Sequence, residues 1–121
     1  MLKTILTVED SSTIRQLMNQ TLVDAGYRVI EAHNGLDALE RMADQKVEMM
    51  ITDLNMPKMD GINLIRHVRQ NSANRFLPIL MLTSENPEQR REEVKTAGAS
   101  AWIAKPFKPT QLVKIVQMIL G

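Results

Sequence analysis

Short apolar runs alternate with stretches of helical periodicity from one end of this 121-residue chain to the other, and no linker, repeat or low-complexity tract separates them. Residues 4–8 form a β-rich run. Ile14, Leu17, Met18 and Leu22 then recur at helical spacing until Gly26 stops the helix. Residues 28–32 read as a second, weaker strand, and Leu36, Leu39 and Met42 mark the next helix. An apolar strand over 47–52 ends at Asp53 and runs into the loop LNMPKMDG. Ile62, Ile65, Val68 and Arg69 outline a third helix. Pro78 opens the strand ILML, which Thr83 closes, and a fourth helix begins near Asn86-Pro87 and stops at Gly98. Residues 101–104 are the last strand. Pro109 opens a closing helix with Leu112, Ile115, Val116 and Ile119 on one face.

Five βα units with continuously apolar strands predict an α/β fold in which one doubly wound parallel sheet carries helices on both faces. Right-handed crossovers leave few topologies, and the flavodoxin-like order 2-1-3-4-5 is the expected one. The length suits a single domain over 1–121, which buries roughly two-thirds of its unfolded surface. Cysteine is absent, so thiol chemistry is excluded and a reducing, cytoplasmic location is expected. The opening MLKTILTVED reads as a strand rather than a leader, and no run approaches a membrane span. A formal charge of +1, with basic residues scattered among acids, argues against direct nucleic-acid binding. A monomer is expected.

Ligands of such sheets gather at the carboxyl ends of the strands, near the point where strand order reverses. The residues that follow the strands are Glu9 and Asp10 after the first, Asp53 after the third, Thr83 after the fourth and Lys105 after the fifth. The second strand adds nothing comparable. In the order 2-1-3-4-5 the contributing strands are neighbours, so three carboxylates, a hydroxyl and an ammonium converge on one edge. A pair of carboxylates about 4 to 5 Å apart repels by roughly 3 to 4 kcal/mol at an effective dielectric of about 20. A hard cation removes that cost, and carboxylates with a carbonyl and waters are the ligand set Mg²⁺ prefers. With a cation bound, Asp53 can attack phosphorus as a nucleophile, Lys105 can neutralise the phosphoryl oxygens and Thr83 can donate to one of them.

Each residue also has a structural alternative. Asp10, before SSTIRQL, is placed to cap a helix. Thr83 fits a turn, and Lys105-Pro106 fits a solvated loop lysine before a cis proline. Asp53 precedes a loop and has no such alternative. His33 and His67 lie after the second strand and on the third helix, away from the acidic edge and without ligand spacing, which argues against a phosphohistidine or metal role.

The Glu9-Asp10 pair, the D-L-N-M-P-x-M-D-G stretch at 53–61, the strand-ending Thr83-Ser84 and the tripeptide Lys105-Pro106-Phe107 together resemble the receiver domain family of two-component response regulators. The resemblance runs from Leu2 to Leu120 and is strongest to the stand-alone chemotaxis receivers. It implies a protein that takes phosphate from a sensor histidine kinase on Asp53. It further implies Mg²⁺ held by Glu9, Asp10, Asp53 and the Asn55 carbonyl, with Lys105 and Thr83 as catalytic and switch residues. No output domain follows Gly121 in the sequence, so the signal is expected to leave by contact with a target protein through the fourth helix, fifth strand and fifth helix. Asn55 and Glu85, each two residues past a site residue, would tune dephosphorylation. One departure stands out: Trp102 occupies a strand-five position that the family usually fills with Tyr or Phe, so it either moves as a switch or covers the sheet edge.

Three other functions compete. A phosphorelay shuttle would pass the phosphoryl group on to another histidine. A flavodoxin-like binder of a flavin or nucleotide would need a hydroxyl- or Gly-rich phosphate cradle after the first strand, where two acids stand instead. A dehalogenase-like phosphatase would need a second Asp as general acid at the position of Asn55, and an amide cannot deliver a proton.

Overall fold

The computed structural model describes residues 2–84 and 87–121. Its elements run β1 (Thr4–Val8), α1 (Ser12–Asp24), β2 (Arg28–Ala32), α2 (Gly35–Asp44), β3 (Met49–Asp53), α3 (Gly61–Gln70), β4 (Ile79–Thr83), α4 (Pro87–Ala97), β5 (Ala101–Ala104) and α5 (Pro109–Leu120). A short 3₁₀ turn at Ser72–Asn74 leads into β4. The strands pair in parallel in the order β2-β1-β3-β4-β5, as the alternation predicts.

The central strands β1, β3 and β4 are buried along their whole length, which accounts for their unbroken apolar character. Side chains alternate between two cores. Ile5, Met49, Ile51, Leu80, Leu82 and Ile103 pack with Met18 and Leu22 of α1 and Leu112 and Val116 of α5. Leu6, Val8, Met50, Ile79 and Met81 pack on the other face against α2, α3 and α4.

Helix starts follow capping chemistry. The Asn34 side chain accepts from Asp37 N at 2.8 Å to open α2, and Asp60 accepts from Asn63 N at 2.8 Å to open α3. Gly26 and Gly98, just past α1 and α4, adopt φ of 98° and 107°. Pro109 occupies the first turn of α5 as expected. The expected start of α4 at Asn86 lies outside the described residues.

Two expectations need correction. The third strand begins at Met49, not at 47, because pairing with β1 runs from Ile5↔Met49 and β1 itself starts at Thr4. Leu17 does not share the inward face of α1. With Met18 and Leu22 pointing into the core, Leu17 turns outward, is 47% exposed, and with Ile14, Pro106 and Phe107 lines a groove of about 300 Å³ beside Lys105.

Candidate functional site

Glu9, Asp53, Thr83 and Lys105 are each held by a backbone ladder that continues to them or just past them. Glu9 N donates to Ala32 O at 3.1 Å, Leu54 N to Leu82 O at 2.9 Å, and Lys105 N to Thr83 O at 2.9 Å. The side chains at this edge therefore start from rigid backbone. Glu9 is fully buried, Asp53 and Thr83 are each 4% exposed, and Asp10 faces solvent.

One carboxylate oxygen from each of Glu9, Asp10 and Asp53 lies within 4.8 Å of the others. Lys105 reaches into the cluster: its Nζ is 2.7 Å from Glu9 Oε1 and 3.0 Å from Asp53 Oδ2. Ser11 N donates to Glu9 Oε2 at 3.1 Å, so both Glu9 oxygens are engaged. Burial still wins at Glu9 and holds its carboxyl above the usual range, with the Asp53 charge adding to the rise. Burial pulls the Lys105 ammonium down, but hydrogen bonds to Glu9 and Asp53 outweigh it and the lysine ends above its ordinary value. Three carboxylates against one ammonium leave a deficit of two positive charges when all are ionised. A divalent cation with oxygen ligands matches that deficit, so the residues present fit Mg²⁺.

Asp10 does not cap α1. That role falls to Ser11, whose side chain accepts from Ile14 N at 3.4 Å, which leaves the Asp10 carboxylate to the cluster. Asn55 is exposed, in the loop between Asp53 and α3. Thr83 closes β4 on the sheet face that also carries Met81 and its register partner Trp102. Trp102 is half-buried against the core under α3 and α4, and the Arg91 guanidinium lies over its ring at 5.5 Å from the centroid. Glu85 lies outside the described residues. The Lys105-Pro106 bond is cis. His33 pairs with Asp37 at 3.1 Å and His67 with the Asn63 carbonyl at 2.8 Å, each within its own helix region, and neither belongs to the Glu9-Asp10-Asp53 cluster.

The sequence places Gly61 at the end of the 53–61 motif but gives no reason for a glycine there. A Cβ there would stand 2.4 Å from the Asp53 carbonyl oxygen and 3.0 Å from Leu54 Cα, while Gly61 N donates to Leu54 O at 2.8 Å. The start of α3 thus presses directly on the backbone of Asp53, and only glycine permits the approach.

A parallel 2-1-3-4-5 sheet with a buried aspartate, two further acids and a lysine at its switch point defines a phosphoacceptor domain of two-component signalling. The chain belongs to the response regulator receiver domain family, which matches residues 5–117. It is 38% identical to the chemotaxis protein CheY1 of Helicobacter pylori, covering 97% of this chain and 96% of that protein. Among solved structures it resembles the chemotaxis response regulator CheY4 of Vibrio cholerae, with 42% identity, a TM-score of 0.94 and coverage of 99% and 100% of the two chains. It also resembles the receiver domain of a sensor histidine kinase from Pseudomonas aeruginosa, with 30% identity, a TM-score of 0.89 and coverage of 98% and 97%. That structure is described with a magnesium ion coordinated in its active-site cleft.

Proposed function

We propose that Asp53 is the phosphoacceptor of a chemotaxis-type response regulator, charged by a sensor histidine kinase and signalling by contact with a target protein. The observation that carries this is the approach of Lys105 to Asp53 and Glu9 inside a cluster of three carboxylates. An Asp53 oxygen attacks phosphorus, the bond from phosphorus to the donor nitrogen breaks, and the donor imidazole keeps the electron pair and takes up a proton. Lys105, already within 3.0 Å of Asp53, follows the charge onto the phosphoryl oxygens as it develops there. Thr83, at the end of β4, is the hydroxyl that donates to one of those oxygens. A divalent cation, held by Glu9, Asp10, Asp53 and the Asn55 carbonyl, supplies further neutralisation of the phosphoryl charge when bound.

Chemotaxis as the pathway is supported by the names of the similar chains from Helicobacter pylori and Vibrio cholerae, and output through α4, β5 and α5 by the exposure of Ala104 and of much of α5. Polar residues at Asn55 and, two positions past Thr83 in the sequence, Glu85 would leave room for water to attack in line and so give a short-lived phosphoryl group. Among the described residues no helix is long and apolar enough to cross a membrane.

The test is phosphorylation by acetyl phosphate with Mg²⁺, followed by intact-protein mass spectrometry. Wild type should gain one phosphoryl group and Asp53→Asn none. Persistence of the same adduct in Asp53→Asn would move the nucleophile elsewhere.

A further inference from the structure

We propose that Arg15 is a positioning residue for the acidic corner Glu9-Asp10, held in place by Glu31 of β2. This rests on the reading of that corner as part of the cation site. Arg15 Nη1 donates to the Glu9 backbone carbonyl at 2.6 Å, the peptide that joins the two acids. Its Nε is 3.2 Å from Glu31 Oε1, and the other Glu31 oxygen accepts from Asn19 Nδ2 at 2.8 Å. Asn19 Oδ1 in turn accepts from the hydroxyl of Thr7 at 2.7 Å, and Thr7 is fully buried in β1. A continuous chain of hydrogen bonds thus ties the turn after β1 to the interior of the same strand.

The placement follows from two periodicities. Thr7 and Glu31 are register partners in the β1–β2 pair and so point to the same sheet face. Arg15 and Asn19 are four residues apart on α1 and so share one helix face. A cation in the first turn of a helix runs against the helix dipole, and α1 has no acid there to offset it. The helix dipole therefore does not favour an arginine at this position, whereas the bond to the Glu9 carbonyl gives it a role there.

The consequence is directional. Asp10 is exposed and must be aimed by its backbone, and the Glu9–Asp10 peptide plane sets that aim. With the Arg15 bond removed, the plane can rotate and the Asp10 carboxylate loses its preset position. Groups that orient metal ligands typically change affinity 10- to 100-fold when removed. The ion pair to Glu31 is half-exposed and contributes less than the carbonyl bond.

The experiment is calorimetric titration of Mg²⁺ itself into protein shown by circular dichroism to be folded at 25 °C, with the melting temperature recorded separately. Arg15→Ala should bind Mg²⁺ roughly tenfold more weakly than wild type. Arg15→Lys, which keeps one donor and the charge, should recover part of the loss, and Glu31→Gln should weaken binding less than Arg15→Ala. A role confined to helix stability would lower the melting temperature and leave the dissociation constant unchanged. Equal Mg²⁺ affinity in wild type and Arg15→Ala overturns this proposal alone. Absence of Mg²⁺ binding in wild type overturns the cation site and the proposal with it.

Discussion

The ammonium of Lys105 and the carboxylate of Asp53 stand 3.0 Å apart although β4 lies between their strands. Neighbouring strands are about 4.8 Å apart, so the lysine stem spans the mouth of the sheet to reach β3 and touches Glu9 beyond it. The pair also sets how the site responds to pH. Partner contacts raise Lys105 above its ordinary value, so its contribution to stability is fully present below the unfolded lysine pKa of about 10.4. That contribution is lost as pH rises through the higher folded value.

Lys105→Met should accordingly destabilise the metal-free protein at pH 7. Breaking a fully buried pair costs about 3 to 5 kcal/mol, and with the Lys105 side chain 15% exposed a loss of about 2 kcal/mol is expected. Urea unfolding at pH 7 and above pH 11 measures this. The gap between wild type and variant should narrow at the higher pH, and a gap that widens there would contradict the pairing.

Mg²⁺ should relieve what remains of the carboxylate repulsion. At 100 times its dissociation constant the ion stabilises the fold by about 2.7 kcal/mol, which for a domain of this size raises the melting temperature by on the order of 10 °C. Asp10→Ala should lose most of that rise. Glu9→Gln should lose it too while melting higher than wild type without metal, because burial disfavours the charged form of Glu9 and the amide carries no charge. Thermal melts with Mg²⁺ and with a chelator decide the point. An unchanged wild-type melt in millimolar Mg²⁺ would count against the site.

Gly61→Ala should damage the site without altering any acid. The added Cβ would stand 2.4 Å from the Asp53 carbonyl oxygen, so β3 or α3 must shift. Overpacking of this kind costs about 1 to 3 kcal/mol. Phosphorylation by acetyl phosphate should slow in parallel, and a variant with wild-type stability and rate would show that the contact is relieved at no cost.

Much of this was legible in the sequence because the strands announce themselves as apolar runs and their last residues break the pattern. Asp53 and Thr83 close β3 and β4, and Glu9 and Lys105 come just after β1 and β5, so the order 2-1-3-4-5 was enough to bring them to one edge. Contacts that depend on rotation about a helix axis were not legible. The spacing of Leu17 suits either side of α1, and only packing turns it outward. From its sequence the second strand adds no residue to the edge, yet Glu31 reaches the site through Arg15, a link visible only once β1 and β2 are in register. Ser11 and Asp10 are both good caps, and one hydrogen bond to Ile14 N decides between them. Gly61 was legible as the end of the 53–61 motif, but its close packing against the Asp53 carbonyl and Leu54 is seen only once α3 is placed against β3.

Trp102 allows the switch to be read directly, because it is the sole tryptophan of the chain. It lies on the sheet face that Thr83 shares, with the Arg91 guanidinium over its ring. If phosphorylation draws the Thr83 hydroxyl toward Asp53, space opens on that face and the indole can leave Arg91 for a drier setting. The balance of magnitudes permits this. A cation–π contact near the surface is worth about 0.5 to 1 kcal/mol, whereas a hydrogen bond to a charged phosphoryl group supplies about 1.5 to 3. A net of about 1 to 2 kcal/mol shifts a two-state equilibrium only partly, so target binding would complete the movement. Beryllofluoride with Mg²⁺, which stands in for the phosphoryl group on a carboxylate, should shift Trp102 emission in wild type, far less in Thr83→Ala, and not at all in Asp53→Asn. Arg91→Ala should shift the resting spectrum and leave a smaller further change on activation. Identical spectra with and without beryllofluoride, in protein shown separately to bind it, would make Trp102 a fixed cover of the sheet edge and route the signal elsewhere.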